Sequence, residues 1–186
     1  MKQEGLLIRP AVKADAPFVM ARVAEAVGMD TPPAGYVRKM SVLCETDDVL
    51  YSYSHTLVAE WDGKPVGALV SYPGAMYKEW RGRTFEMVKA LTGNDYSGMA
   101  DETREGEYYI DSLATAPSAR GRGVGRALLR AGIERARSMR IPVVTLAVDP
   151  DNPPALGLYR SMGFEERELI TIFDHLYRRM ELPLRF

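Results

Sequence analysis

The pattern of apolar and polar positions divides this chain into strand-like and helix-like segments. Runs in which apolar residues alternate or cluster predict strands at 6–9, 56–61, 65–72, 107–117, 143–148, 164–171 and 177–182. Apolar residues spaced three and four apart predict helices at 16–27, 36–44, 76–91, 124–136 and 153–162. This order predicts an α/β fold, with a mixed sheet covered by helices on both faces.

Length and composition predict one domain over residues 1–186. The chain is 46% hydrophobic and 26% charged, which is typical of a globular protein with a substantial core. Between the third and fourth predicted strands lies an insertion at about 73–106, with a helix in its first half and a polar loop in its second. Connecting segments often carry binding residues, and the candidate lining residues of a pocket here are Tyr72, Tyr77, Trp80, Arg83 and Tyr96.

The formal net charge of −1 argues against general binding to nucleic acid or to an anionic membrane surface. The single cysteine, Cys44, excludes an internal disulfide and a cysteine zinc cage, and His55 and His175 match no metal motif. The first ten residues lack the apolar run of a signal peptide, and no stretch approaches the length of a membrane span. We therefore expect a cytoplasmic protein without a metal, a nucleic-acid partner or a membrane partner.

A glycine and arginine loop joins the predicted strand 107–117 to the helix that follows. Free backbone amides, a helix N-terminus and nearby arginines favour a phosphate, although a plain strand-to-helix turn has the same composition. The P-loop motif is excluded because no Lys follows Gly125. The dinucleotide fingerprint is also excluded, because its third small residue would fall on Arg126 or Leu128. The loop consists of Arg120, Gly121, Arg122, Gly123, Val124, Gly125 and Arg126.

The order R-x-x-G-x-G from Arg120 to Gly125 resembles the pyrophosphate loop of the GNAT superfamily of acyl-CoA N-acyltransferases. A second motif of that family, N-x-x-A-x-x-x-Y-x-x-x-G-F, follows one helix and one strand later, from Asn152 through Tyr159 to Phe164. The resemblance covers nearly the whole chain. It implies the GNAT fold, a mostly antiparallel sheet whose two parallel central strands splay apart.

By this resemblance the cosubstrate is acetyl-CoA, with its pyrophosphate on the glycine loop. Its pantetheine arm is then expected to pair with the free backbone of Leu113, Ala114 and Thr115. Asn152 is expected to cap the second-motif helix and to contact the same arm.

The implied reaction is direct transfer of the acetyl group to a primary amine in a ternary complex, without a covalent enzyme intermediate. Asp111 is the expected base, with Glu107 on the same strand face and a water chain as alternatives. Tyr159 is the expected acid that protonates the leaving thiolate, and a backbone amide at a strand bulge is expected to stabilise the oxyanion. The competing structural roles are capping by Asp111 or its pairing with a neighbouring arginine, and packing of Tyr159 against the sheet.

Two other functions use the same features. A CoA-binding sensor or assembly module needs the glycine loop but no turnover, and a nucleic-acid binder would use the arginines between Arg120 and Arg140. The second is disfavoured because no aromatic residues interleave with those arginines. The acceptor is expected to be a small-molecule or peptide amine, which the acidic residues Asp101, Glu102, Glu105 and Glu107 attract unless they are only a solvated loop. Family members often dimerise through sheet edges, so monomer and homodimer both stay open.

Overall fold

The computed structural model describes residues 5–29, 31–172 and 174–186, so the first four residues of the N-terminal segment considered above lie outside it. Within these ranges the strands are β1 (Leu6–Pro10), β2 (Thr56–Trp61), β3 (Lys64–Pro73), β4 (Glu107–Thr115), β5 (Val143–Val148), β6 (Glu165–Ile172) and β7 (His175–Pro183). The helices are α1 (Ala16–Ala26), α2 (Tyr36–Glu45), α3 (Tyr77–Thr92), α4 (Val124–Ser138) and α5 (Pro153–Ser161).

The strands form one sheet in the order β1-β2-β3-β4-β5-β7-β6. Every neighbouring pair is antiparallel except β4 and β5, which are parallel. This confirms the predicted mixed sheet. The predicted strand to Pro117 ends earlier, at Thr115, because Pro117 has no amide for a ladder and begins a short 3₁₀ turn.

Helices cover both faces of the sheet, as predicted. Helices α4 and α5 share one apolar core with β2, β4 and β5, in which Leu128, Leu129 and Leu146 are fully buried. Helices α1, α2 and α3 share the other core with β3 and β4, around Leu43 and Tyr109. The central strand β4 therefore has both of its faces packed against helices.

The β4 and β5 strands splay apart after a short parallel ladder. That ladder runs from Glu107 opposite Val143 to Ile110 opposite Leu146 and then stops. Beyond this point β4 stays paired with β3 as far as Thr115, while β5 stays paired with β7. The carboxyl ends of the two central strands are thus separated, as the resemblance implied, and leave a gap edged by unpaired backbone.

A bulge interrupts β4 where the gap opens. Ile110 lies opposite Ser71 and Ser112 lies opposite Val70, so Asp111 is an extra residue without a partner on β3. The bulge therefore lies at the residue that the sequence marked as a candidate base.

The segment between β3 and β4 folds against the start of β4. It contains a 3₁₀ turn over Gly74–Met76, the helix α3 and an irregular return over residues 93–106. A Cβ at Gly74 would lie 2.0 Å from the carbonyl oxygen of Arg104, so only glycine permits this close approach. The contact holds the end of the irregular return beside the sheet and thereby places Glu102.

Candidate active site

The glycine loop presents free amides at the start of α4. Gly121 and Gly123 have φ angles of 70° and 78°, in the left-handed region that favours glycine. Gly123 is the N-cap of α4, and no side chain caps this helix end. The first amides of α4 therefore lack intrahelical acceptors, and together with the helix dipole they form a ready site for an anion.

Two arginines of the loop fasten it to neighbouring elements. Arg120 Nε donates to the carbonyl oxygen of Thr115 at 3.3 Å, and its Nη2 lies 3.7 Å from Glu25 Oε2 on α1. The guanidinium of Arg122 lies 3.8 Å from the ring centroid of Trp61 on β2. These contacts support the loop, and the predicted contribution of the same arginines to phosphate binding stays a prediction.

The third arginine connects the two sequence motifs. Arg126 Nη2 donates to Ser161 Oγ at 2.7 Å, and Nη1 lies 3.2 Å from Met162 Sδ, both at the end of α5. At the other end of α5, the Asn152 side chain accepts a hydrogen bond from the amide of Ala155 at 3.2 Å, which confirms the predicted cap. The two sequence motifs are thus in direct contact in the fold, through Arg126 of the first and the end of α5 in the second.

The glycine loop, the end of β4 and α5 converge on the gap. A Cβ at Gly125 would lie 3.5 Å from Leu158 Cδ2 on α5 and 3.8 Å from Thr115 Cγ2 on β4. Leu113, Ala114 and Thr115 are partly exposed along the open edge of β4. The predicted pantetheine-binding residues therefore lie beside the predicted pyrophosphate loop.

Tyr159 is buried in α5, with only 8% of its surface exposed. Its ring packs edge-on against Phe164, with 5.9 Å between the ring centroids. Among the described residues, no hydrogen-bond partner is found for its hydroxyl. Burial raises the pKa of Tyr159 to about 12, so the phenol keeps its proton at neutral pH. The ring therefore packs in the core, as the structural alternative expected, and the hydroxyl is a proton donor that no described residue engages.

Asp111 is held at the bulge by two hydroxyl groups. Tyr72 donates to Asp111 Oδ2 at 2.6 Å, and Ser112 donates to Oδ1 at 2.8 Å. Burial raises the pKa of the carboxyl, and these two hydrogen bonds only partly oppose it. Within the described part of the chain no cation lies within ion-pair distance of Asp111, so the expected alternative of an arginine partner is not found.

The alternative base, Glu107, is committed to a buried ion pair. Arg179 Nη2 and Arg104 Nε donate to its Oε1 at 2.6 and 2.7 Å, and Thr103 donates to Oε2 at 2.9 Å. Burial alone would raise the pKa of Glu107, but these hydrogen bonds outweigh it and lower the pKa. A carboxylate held in this way joins β4 to β7 and is poorly suited to accept a proton.

The structure identifies Glu102 as a further candidate carboxyl of the site. The sequence gave no reason to distinguish it from the neighbouring acidic residues. Tyr109 donates to Glu102 Oε2 at 2.7 Å, and the Glu102 amide donates to the Tyr77 hydroxyl at 3.1 Å. Burial, and then the charge of Asp111, raise the pKa of Glu102 to about 7. A carboxyl that titrates near neutral pH is a recognised feature of functional sites.

The side chains predicted to line a pocket in the insertion include some that lie beside Asp111 and Glu102 and others that lie away from them. Tyr72 and Tyr77 are fully buried and contact the two carboxyl-bearing residues, as described above. Trp80 stacks on His55 at 4.6 Å and belongs to the core beside them. Arg83 pairs with exposed acidic residues on the outer side of α3, and Tyr96 packs against Phe85.

The sequence profile of the acetyltransferase (GNAT) family matches residues 23–164. The chain belongs to this family. The N-alpha-acetyltransferase RimI of Mycobacterium tuberculosis is 38% identical over 98 residues, which cover 50% of this chain and 60% of that protein. A mycothiol acetyltransferase of Acidothermus cellulolyticus is 45% identical over 69 residues, covering 37% of this chain and 20% of that protein. The chain therefore spans less than two thirds of either curated relative.

The GNAT fold is also found by comparison of structures. The chain matches a crystal structure described as that of an acetyltransferase with a TM-score of 0.79 and 28% identity, over 96% of this chain and 100% of that one. Among the residues described, no helix is both long and apolar enough to cross a membrane. Nor does the described part of the chain bring together three or more His, Cys, Asp or Glu side chains suited to a metal ion.

Proposed function

We propose that this GNAT protein transfers the acetyl group of acetyl-CoA to a primary amine by direct attack in a ternary complex. The observation that carries the proposal is the end of the parallel ladder at Ile110 and Leu146, directly beside a helix whose glycine N-terminus is uncapped. One anion site and one open strand edge lie together, as a long cosubstrate with a diphosphate and an amide-bearing arm requires.

The residues around the gap fit acetyl-CoA. The amides of residues 121–126 suit the diphosphate, and the open backbone of Leu113, Ala114 and Thr115 suits the amides of the pantetheine arm. Asn152 and Tyr159, at the N-cap and within α5, are proposed to contact the cosubstrate from the α5 side. Acetyl-CoA supplies the acetyl group as a thioester, and the protein supplies orientation and proton transfer.

Three groups are assigned chemical roles in this proposal. A backbone amide at the Asp111 bulge lacks a regular ladder position and is a donor for the developing oxyanion. The Asp111 carboxylate attracts and orients the ammonium group of the acceptor, which must lose a proton before it attacks. The spare hydroxyl of Tyr159 protonates the departing thiolate.

The acceptor is proposed to be a protein N-terminus or a small amine. The similar RimI is named as an N-alpha-acetyltransferase, which supports a protein N-terminus as acceptor. The second relative is named as a mycothiol acetyltransferase, which supports a small amine as the other class of acceptor. The buried free cysteine and modest net charge favour a cytoplasmic location without nucleic-acid or membrane partners. A homodimer through a sheet edge stays a prediction, to be checked by sedimentation.

An acetylation screen tests the proposal. The protein is incubated with acetyl-CoA and a panel of peptides with free N-termini, diamines and other small amines, and the products are identified by mass spectrometry. We expect at least one amine to be acetylated in proportion to enzyme concentration. Acetyl-CoA binding by calorimetry without any acetylated product would instead favour the CoA-binding sensor or assembly module.

A further inference from the structure

Glu102 is among the residues that line a groove, whereas Asp111 is not. The groove has a volume of about 520 Å³ and lies between the 3₁₀ turn after β3, residues 101–105 and the strands β6 and β7. Lys78, Glu168 and Ile170 contribute to its walls together with Glu102. Glu102 is therefore the carboxyl of the pair that an acceptor or a water molecule reaches from this groove.

Two neighbouring phenols hold the Asp111 and Glu102 carboxyls. Tyr72 and Tyr109 lie directly opposite each other on β3 and β4, with 5.9 Å between their ring centroids. Tyr72 donates to Asp111, and Tyr109 donates to Glu102. Burial raises the pKa of both phenols well above 10.0, so they remain protonated and donate to the two carboxyls.

The two carboxyls differ in their remaining capacity to accept a proton. Both oxygens of Asp111 accept hydrogen bonds, from Tyr72 and from Ser112. Glu102 Oε2 accepts from Tyr109, whereas Oε1 accepts no hydrogen bond from any residue that the structure describes. The free oxygen of the pair thus belongs to Glu102.

We infer that Glu102 is the residue that takes the proton of the acceptor ammonium, while Asp111 acts as a fixed negative charge beside it. This inference rests on the proposed function. An N–H bond of the ammonium breaks and an O–H bond forms on Glu102 Oε1, which leaves the nitrogen lone pair free to attack the acetyl carbon. The proton then leaves to water in the groove. When the C–S bond of the tetrahedral intermediate breaks, Tyr159 gives its proton to the departing thiolate, and the second proton that the nitrogen loses returns through water to the Tyr159 phenolate.

The charges around Glu102 support a base that works near neutral pH. Burial, and then the charge of Asp111, raise the pKa of Glu102, whereas the Tyr109 hydrogen bond and the charge of Arg81 lower it. The Tyr72 and Tyr109 phenols beside the pair are un-ionised. Among the described residues, the charged groups that line the same groove are Lys78, Asp101, Arg104, Glu105, Glu168 and Arg179, and Arg179 Nη1 donates to the Glu102 carbonyl oxygen. Since Arg179 also pairs with Glu107, its charge is already balanced. A pKa of about 7 suits general base catalysis at neutral pH.

The test measures kcat/KM against pH with an acetylated amine from the screen. Removing a positioned base typically costs 10²- to 10⁴-fold, so Glu102→Gln should lose about this much at pH 7 and recover at high pH, where free amine is abundant. Asp111→Asn should keep the acid limb of the profile but move it to lower pH, because the negative neighbour of Glu102 is gone. Asp95→Asn, in the same irregular segment but paired with exposed Lys89, is the control and should behave as wild type.

The opposite pattern overturns the inference. If Asp111→Asn abolishes the acid limb while Glu102→Gln only displaces it, Asp111 is the base and Glu102 the neighbouring charge. An unchanged limb in Glu102→Gln likewise refutes the role of Glu102, while acetylation by wild type upholds the proposed function. If Glu102→Gln does not fold, the direction of the Asp111→Asn shift decides by itself. Absence of acetylation by wild type refutes the proposed function instead.

Discussion

The ion pair of Glu107 and Arg179 offers a test that separates structural from catalytic carboxylates. Both side chains are only 5% exposed, and they join the central strand β4 to β7. The substitution Glu107→Gln preserves shape and an acceptor oxygen but removes the negative charge. Arg179 then stays buried without its main counter-charge, which destabilises the fold.

The structure sets the expected magnitude. Removing one partner of a buried ion pair typically costs about 3 to 5 kcal/mol. Arg179 keeps two weaker partners, Glu168 at 3.3 Å and Glu181 at 3.4 Å, so we expect the lower end, about 3 kcal/mol. For a domain of this size, that loss lowers Tm by roughly 6 to 12 °C.

The loss should also depend on pH. The pKa of Glu107 is lowered in the folded protein from an ordinary value of 4.5. The stability contributed by its ionised form is therefore fully present above that value and is lost as the pH falls through the lower folded pKa. The difference in unfolding free energy between wild type and Glu107→Gln should be largest near pH 7 and become smaller below pH 4.5.

Thermal melting and steady-state kinetics together complete this test. At a temperature where both proteins are folded, Glu107→Gln should acetylate at close to the wild-type rate. Glu168→Gln is the matched control, because that carboxylate is 56% exposed and contacts the same arginine, so its Tm should change little. An unchanged Tm with a large loss of kcat in Glu107→Gln would show that the ion-pair reasoning is mistaken and that Glu107 takes part in the chemistry.

Three further predictions address the cosubstrate site and the core. Tyr159→Phe should lower kcat by about 10²- to 10⁴-fold with little change in Tm; a lower Tm with normal turnover would mean that Tyr159 only packs. Gly123→Val should abolish calorimetric acetyl-CoA binding, whereas Gly93→Val, which imposes a comparable left-handed strain at the end of α3, should leave it intact. Burial lowers the pKa of His55 to about 4, so wild type should lose about 1 kcal/mol of unfolding free energy relative to His55→Gln between pH 7 and pH 5.5 in urea titrations; parallel curves would contradict this.

The arrangement of elements was predictable because local pattern and tertiary packing agree. The α4 positions expected to be apolar, Val124, Leu128, Leu129, Ile133 and Ala136, are all buried in one core. The hairpin of β2 and β3 turns at Asp62 and Gly63, both with positive φ, as their residue types predict. The geometry of the glycine loop was also predictable, since its glycines and the Asn152 cap act through the local backbone.

The roles of the loop arginines were not predictable in the same way. Nothing in the local sequence of Arg126 indicates Ser161, which lies 35 positions further along the chain. Arg122 likewise contacts Trp61 only because β2 and the start of α4 meet in the fold. A guanidinium near a glycine loop suggests a phosphate ligand, but long side chains also fasten the backbone that binds it.

The proposed acceptor side of the site depends on the bulge at Asp111, which the periodic pattern of apolar residues does not predict. A regular strand from Glu107 would turn Tyr109, Asp111 and Leu113 toward the same face. The extra residue at the bulge changes this: Tyr109 and Asp111 face the core of α1 to α3, whereas Leu113 packs on the α4 side opposite Leu69. The bulge is set by the pairing of β4 with β3, and this register places Asp111 beside Tyr72. Glu102 belongs to a different segment, so its proximity to Asp111 depends on the tertiary structure and not on the local sequence.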